Sequence, residues 1–285
     1  MTELIIKTRD ALIQAGISPK KSLSQNFLIN KDVLQRQVDY ANVTQEDTVL
    51  EIGGGTGVLT ELLVRKAQKV LCIEYDRKLA KFLENKFKSY ENIEIIHADI
   101  LKIDLPKANK IVANLPYHIS SPITFKILDY DFDLAVLMYQ HEFSIRMVAK
   151  PRTNDYSRLS ANLQYQATVR ILERVPKGYF YPIPKVDSAL VEIKLLNKEL
   201  PVAKEFFRKT SLVLFNTKNK LVSTIIYDYF KRELPKEDRL TFRRDLESKL
   251  TFAKTRVREL LIEDLVLVTR ELVEFLETKP KLLLY

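Results

Sequence analysis

Leu50-Glu51-Ile52-Gly53-Gly54-Gly55-Thr56-Gly57 closes a short apolar run and opens a helical one, and its reading decides the fold. The chain has only 6 glycines in 285 residues, and four of them fall within positions 53–57. Glycine this concentrated marks a place where the backbone takes positive φ or approaches a neighbour closely. A strand before the loop and a helix after it make this the setting of a cofactor-binding turn. Two phosphate-binding loops can be checked directly. A Walker A loop would end in Gly-Lys-Ser/Thr, and none is present; the G-x-G-x-x-G/A fingerprint needs a small residue at 58, where Val58 stands. A tight strand–helix turn without a ligand is the remaining simple reading.

Working outward from the loop, short apolar runs at 48–52, 70–73, 93–96, 111–113 and 134–139 read as buried parallel strands. Helical stretches at 58–66, 78–88 and 123–128 lie between several of them. This alternation predicts a doubly wound α/β sheet. Runs at 169–172 and 190–195, separated by a proline-rich stretch, read as a late strand pair. Upstream, helices are expected over 4–15, capped by Gly16, and over 33–41. After about residue 198 only helical spacing remains, over 206–215, 221–230, 240–250 and 257–276. The expected organisation is therefore an α/β domain at 1–197, with an N-terminal helical extension, and a smaller helical domain at 198–285.

Glu74 follows Gly53 by 21 residues and ends the second of these strands. A carboxylate there can accept hydrogen bonds from two ribose hydroxyls. Asp99, after the third strand, could accept from an adenine amine. Adenine and ribose without phosphate describe S-adenosylmethionine (SAM), which this pattern favours over NAD.

Asn114-Leu115-Pro116-Tyr117 follows the fourth strand, where an open α/β sheet faces its ligand crevice. An exocyclic base amine has its lone pair delocalised into the ring, and methylation requires an orientation that localises it. The Asn114 amide oxygen and the Leu115 carbonyl could both accept from such an amine. Pro116 stiffens the turn, and Tyr117 offers an aromatic face to a base taken out of its stack. No strong general base is needed, because the proton leaves after the methyl has joined. In isolation the same tetrapeptide would also serve as a strand-end turn.

With these motifs in order, the chain resembles the ribosomal RNA adenine N(6),N(6)-dimethyltransferase family, the KsgA-type enzymes and their Erm relatives. The resemblance runs from about 20 to 195. It also takes in Gln25-Asn26-Phe27-Leu28, Ala98-Asp99, Tyr156-Ser157-Arg158-Leu159-Ser160 and Phe180-Tyr181-Pro182-Ile183-Pro184-Lys185-Val186-Asp187-Ser188. The run Phe132-Asp133-Leu134-Ala135-Val136-Leu137-Met138-Tyr139-Gln140 is most like the archaeal branch. The resemblance implies a Rossmann-like class I SAM-dependent methyltransferase domain with a C-terminal α-helical domain that binds rRNA. It implies a cofactor site drawn from Gln25, Asn26, Leu28, Glu51, Gly53, Gly55, Gly57, Glu74, Tyr75, Ala98, Asp99 and Asn114. It also implies that Asn114, Leu115, Pro116 and Tyr117 receive the target amine, with Tyr117 and Phe180 sandwiching the adenine. The implied reaction dimethylates two adjacent adenosines in the 3′-terminal hairpin of small-subunit rRNA, on a pre-small-subunit particle, by a monomeric enzyme. The C-terminal part departs most from the bacterial pattern, and Phe215-Asn216-Thr217-Lys218-Asn219-Lys220 is only loosely like the family's basic stretch.

Composition agrees with an enzyme of this kind. The net charge is +9, and the 62-residue stretch 198–259 holds 16 Lys and Arg against 9 Asp and Glu. The rest of the chain has 30 against 28. Such a basic segment suits a polyanion, since Lys and Arg displace counterions from phosphates; a solubilising surface is the plainer reading. One cysteine and three histidines give no expectation of a metal. No apolar run reaches the length of a membrane span and Met1-Thr2-Glu3-Leu4 has no leader pattern, so a cytoplasmic location without membrane contact is expected.

Overall fold

The computed structural model of the chain describes residues 3–18, 25–196, 199–279 and 282. The chain forms two compact units. The first contains the residues up to Ser144 together with Ala167–Leu195; the second contains Ile145–Gln166 and everything from Leu196 onward.

In the first unit, α1 (Glu3–Gln14), β1 (Phe27–Leu28) and α2 (Lys31–Tyr40) precede the sheet. Gly16 ends α1 at φ 61°, with the Ile17 N–H donating to Leu12 O at 2.9 Å, the expected left-handed cap. Then come β2 (Thr48–Ile52), α3 (Val58–Leu63), β3 (Lys69–Glu74), α4 (Arg77–Lys86), β4 (Ile93–His97), β5 (Lys110–Asn114), α5 (Ser120–Ile127) and β6 (Leu134–Gln140). After α6 (His141–Val148) and α7 (Arg158–Gln166), β7 (Ala167–Val175), β8 (Phe180–Tyr181) and β9 (Ser188–Leu195) complete the strands.

The seven-stranded sheet has the order β4-β3-β2-β5-β6-β9-β7. The five strands from β4 to β6 run parallel, while β9 is antiparallel to both β6 and β7. Val49, Leu50, Ile52, Val70, Cys72 and Ile73 are all buried, as central parallel strands with helices on both faces require. The chain steps outward from β2 to β3 to β4, then returns to lay β5 on the other side of β2. That reversal opens a crevice beyond the C-terminal ends of β2 and β5, where doubly wound sheets bind ligands. At the opposite end, Lys110 Nζ pairs with Asp47 Oδ2 at 2.9 Å, both side chains nearly fully buried. Burial alone would raise the Asp47 pKa, but bonds from Lys110, Asn109 and Thr44 prevail and bring it down to about 2.

The second unit is helical: α7 with α8 (Lys204–Leu214), α9 (Val222–Phe230), α10 (Arg239–Lys249) and α11 (Ile262–Glu277). Its core includes Tyr156, Phe207, Phe230, Phe242 and Leu272. The expected division at 197/198 is redrawn here, because Ile145–Gln166 packs with the helical unit. Tyr165 stacks on Phe207 with centroids 3.9 Å apart, and Asn162 Nδ2 donates to Ser211 Oγ at 2.9 Å. The helix expected over 257–276 is also corrected. Residues Val257–Glu259 form a 3₁₀ turn, Leu260 and Leu261 are extended, and α11 starts only at Ile262. Backbone bonds from Val257 to Lys220 O and from Arg258 to Lys218 O pull this stretch out of helical conformation.

Among the described residues, no helix is long and apolar enough to cross a membrane, and no group of three or more His, Cys, Asp and Glu is placed to hold a metal ion.

Candidate active site

The site is built where β2, β3, β4 and β5 end. Beyond β2 the chain turns through Gly53, Gly55 and Gly57, all at positive φ. Residues with a side chain avoid this conformation by about 1–2 kcal/mol each. Gly54 is glycine for a different reason: a Cβ there would lie 2.4 Å from Cys72 Sγ and 2.7 Å from Leu83 Cδ1. The loop is therefore pressed onto β3 and α4. From α4, Lys86 Nζ reaches up to the carbonyls of Thr56 (3.1 Å) and Gly57 (3.3 Å).

Glu74 closes the loop from the neighbouring strand. One carboxylate oxygen accepts the Gly55 N–H and the other the Asp76 N–H, each at 2.8 Å. Burial raises its pKa, with these two bonds opposing. The residue expected to meet a ribose thus also holds the glycine loop in shape, a role with no signal in sequence spacing. Asp99 uses one oxygen to accept the Leu101 N–H at 3.0 Å, and this turn presents the buried Ile100 as an apolar wall.

At the end of β5, the Asn114 Oδ1 atom is buried and has no hydrogen-bond partner among the described residues. Pro116 Cδ sits 3.7 Å from the place a Gly53 Cβ would occupy, so the tetrapeptide and the glycine loop touch. The Tyr117 hydroxyl bonds to Ser188 Oγ at 2.6 Å. Phe180 arrives from another part of the chain: β1 and β8 pair antiparallel, Leu28 opposite Phe180 and Phe27 opposite Tyr181. This short ladder brings Gln25–Leu28 and Phe180 to the same crevice, and the Phe27 ring lies over Gly55.

One cavity of about 360 Å³ collects these groups, within the range of small-ligand sites. Gln25, Asn26, Leu28, Glu51, Gly53, Gly55, Glu74, Tyr75, Ala98, Asp99, Asn114, Leu115, Pro116, Tyr117 and Phe180 all line it. Gly57 does not. It caps the start of α3 and faces Leu83 and Phe87, which a Cβ would approach to 2.9 Å, so its part is structural. The sequence reading missed Gly54, Phe27, Asp76 and Ile100, which also line the cavity. All four stand beside a residue already chosen, so adjacency was a signal for each; the reason position 54 admits only glycine required the packing. Among the described residues, the lining contains Glu51, Glu74, Asp76 and Asp99 and no Lys or Arg. Such a pocket repels phosphate and suits a cation.

Glu51 lies on the cavity floor, only 1% exposed. Burial, helped by the charge of Glu74, pushes its pKa up to about 8, against the partial opposition of Thr60, Cys72 and Lys86. The folded state therefore holds a proton that an unfolded carboxyl, with an ordinary value of 4.5, releases. The associated stability is complete below pH 4.5, is lost as pH climbs to 8, and changes little above that. We expect Glu51→Gln to remove this slope. In thermal melts the variant's Tm should gain several degrees on the wild type between pH 5 and pH 8. A Tm difference independent of pH would show that Glu51 is ionised in the folded protein.

A glycine loop at the switch point of an open sheet, an acid on the next strand and an acidic, apolar-walled cavity define an α/β enzyme that binds a nucleoside-bearing cofactor. Residues 16–261 match the model of the family described as ribosomal RNA adenine dimethylase. A probable ribosomal RNA small subunit methyltransferase A of Thermococcus sibiricus is 42% identical over 265 residues, covering 93% of this chain and 94% of that one. The counterpart of the same description in Pyrococcus furiosus is 42% identical over 267 residues, covering 93% and 95%. Among solved structures, a dimethyladenosine transferase from Plasmodium falciparum superposes with TM-score 0.77 at 28% identity, covering 89% of this chain and 98% of that one. The 23S rRNA methyltransferase ErmE superposes with TM-score 0.64 at 27% identity, covering 87% and 99%. The chain belongs to the ribosomal RNA adenine dimethylase family.

Proposed function

We propose that this protein transfers methyl groups from SAM to the N6 amines of two adjacent adenosines in the 3′-terminal hairpin of small-subunit rRNA, acting on a pre-small-subunit particle in the cytoplasm. The observation that carries this reading is Asn114, a residue of the cavity wall whose buried Oδ1 has no partner among the described residues. An acceptor left empty inside a protein costs about 1–3 kcal/mol, and such an atom awaits a donor. An exocyclic adenine amine is that donor, with the Leu115 carbonyl as its second acceptor and the Tyr117 and Phe180 rings against the base faces.

The cavity suits SAM in its charge and its shape. Glu74 and Asp99 would hold the ribose and adenine, Gln25, Asn26 and Leu28 the methionine end, and the backbone from Gly53 to Gly55 the loop side. When bound, SAM supplies a sulfonium methyl open to attack by nitrogen. The protein's own work is orientation. Asn114 and Leu115 direct the amine lone pair out of the ring plane, and the aromatic faces favour the positive charge that builds on nitrogen. The spent proton passes to water, so no buried base is required.

The helical unit supplies cations for an RNA partner from within the basic 198–259 stretch, although not from its Lys218 and Lys220. Lys218 Nζ donates to the carbonyls of Asn154 and Tyr156 at 2.7 Å each, and Lys220 pairs with Asp228 at 3.2 Å. Both are occupied internally. Arg232, Lys236, Arg244 and Lys254 form no ion pair with a described residue, and they are the groups we assign to phosphate contact. The likeness to ErmE raises large-subunit rRNA as the competing substrate. Incubating the protein with methyl-labelled SAM and under-methylated small or large subunits separates the two. Label on small subunits is expected; label on large subunits alone would replace this reading with the competing one.

A further inference from the structure

The two aromatic walls of the base site come from distant parts of the chain, yet both are tied to one dipeptide, Asp187-Ser188. Ser188 is fully buried at the start of β9, opposite Gln140 of β6 and Val175 of β7, so the sheet fixes it from both sides. Its Oγ meets the Tyr117 hydroxyl at 2.6 Å. Burial raises the Tyr117 pKa, so at neutral pH the phenol keeps its proton and the bond is between two hydroxyls. Asp187 reaches the other way. One oxygen accepts the Lys177 N–H at 2.9 Å, and the other accepts from Arg174 Nε at 2.9 Å. Lys177 begins the 3₁₀ turn Lys177–Tyr179 that delivers Phe180. The Asp187 carbonyl in turn accepts the His141 N–H at 2.9 Å, which locks the dipeptide to the end of β6.

We propose that Asp187-Ser188 is a positioning element that holds the Tyr117 ring, with Phe180 opposite, and so governs whether a target adenosine goes on from one methyl to two. This rests on the proposed function above. In each transfer the amine lone pair forms the new N–CH₃ bond while the S–CH₃ bond breaks with its pair going to sulfur; the displaced N–H proton leaves to water. Before the first transfer the amine has two N–H groups for its two acceptors, Asn114 Oδ1 and Leu115 O. Afterwards it has one. The second transfer therefore has fewer hydrogen bonds to orient the nitrogen and depends more on the ring faces. A tyrosine free to rock loses the second step more than the first.

The test uses Ser188→Ala, Tyr117→Phe and the double variant, with under-methylated small subunits and SAM. Nuclease digests are read by mass spectrometry for mono- and dimethyladenosine. Each single variant should lower kcat by about 10-fold, raise the mono-to-di ratio by about 5-fold, and leave the KM for SAM within about twofold. The double variant should match the single ones, since both remove the same bond. An unchanged product ratio, or effects that multiply in the double variant, would overturn the proposal. Should Ser188→Ala fail to fold, Tyr117→Phe removes the bond from its half-buried end, and an unshifted ratio there is equally decisive against it. Wild-type protein that transfers no label to small subunits would refute the proposed function instead, so the two failures are distinct.

Discussion

Replacing Asn114 with alanine should lower kcat for methyl transfer by about 10³-fold while SAM affinity stays within a few-fold and thermal stability stays level or rises. The rate loss is of the size seen when one preorganised polar contact to a reacting group is removed, about 4 kcal/mol. Stability should not fall, because Asn114 Oδ1 makes no hydrogen bond with a described residue, and alanine abolishes an unmet acceptor. An ordinary structural asparagine would behave in the opposite sense, with Tm and activity falling together. Stopped-flow transfer, SAM titration and a melt on the same preparation separate these outcomes. Weakening of SAM binding by tenfold or more would show that Asn114 serves chiefly the cofactor.

The second large effect is expected at Gly54. Its φ is not in the left-handed region, so Gly54→Ala introduces no backbone strain, only a methyl with nowhere to go. The added carbon would meet Cys72 Sγ at 2.4 Å and Leu83 Cδ1 at 2.7 Å, both fully or almost fully buried. Overpacking of this kind costs about 1–3 kcal/mol, and the loop has to rise off β3 to accommodate it. We expect Tm to fall by about 5 °C and SAM affinity by at least about tenfold. Cys72→Ala in the same chain should restore part of both, since it removes the nearer clash and leaves Leu83. Gly178→Ala is the control: nothing lies within 4 Å of a Cβ there, and it should melt and bind like the wild type. A Gly54→Ala protein indistinguishable from that control would mean the loop is not pressed on the strand.

The elements that could be read from sequence are those whose burial follows a simple period. The strands from Thr48–Ile52 to Leu134–Gln140 are continuous apolar runs because helices cover both faces, and their order placed Glu74, Asp99 and Asn114 at one sheet edge. The SAM-type loop was legible for the same reason: glycine, strand and helix stand in fixed sequence. Helix α7 was not, because its buried residues include Ser160, Asn162 and Gln166. Their polarity hides the helical stripe, and hydrogen bonds such as Asn162 to Ser211 satisfy them only in the folded unit. The β1–β8 ladder has two residues on each side, too short for any periodicity, yet it delivers Phe180. Lys86 looks like a solvated helix end in sequence, whereas in the fold it fastens two loop carbonyls. Gly57 stands in the same loop but outside the cavity lining, against Leu83 and Phe87, a placement that spacing does not reveal.

On the proposed function, the Asn114 acceptor receives an adenine amine of small-subunit rRNA twice over. Mapping methylated bases by mass spectrometry, after reaction of the wild-type protein with under-methylated small subunits and SAM, tests it most directly. N6,N6-dimethyladenosine is expected at two adjacent positions of the 3′-terminal hairpin. Methylation confined to another base or another atom, or no methylation at all, would contradict it.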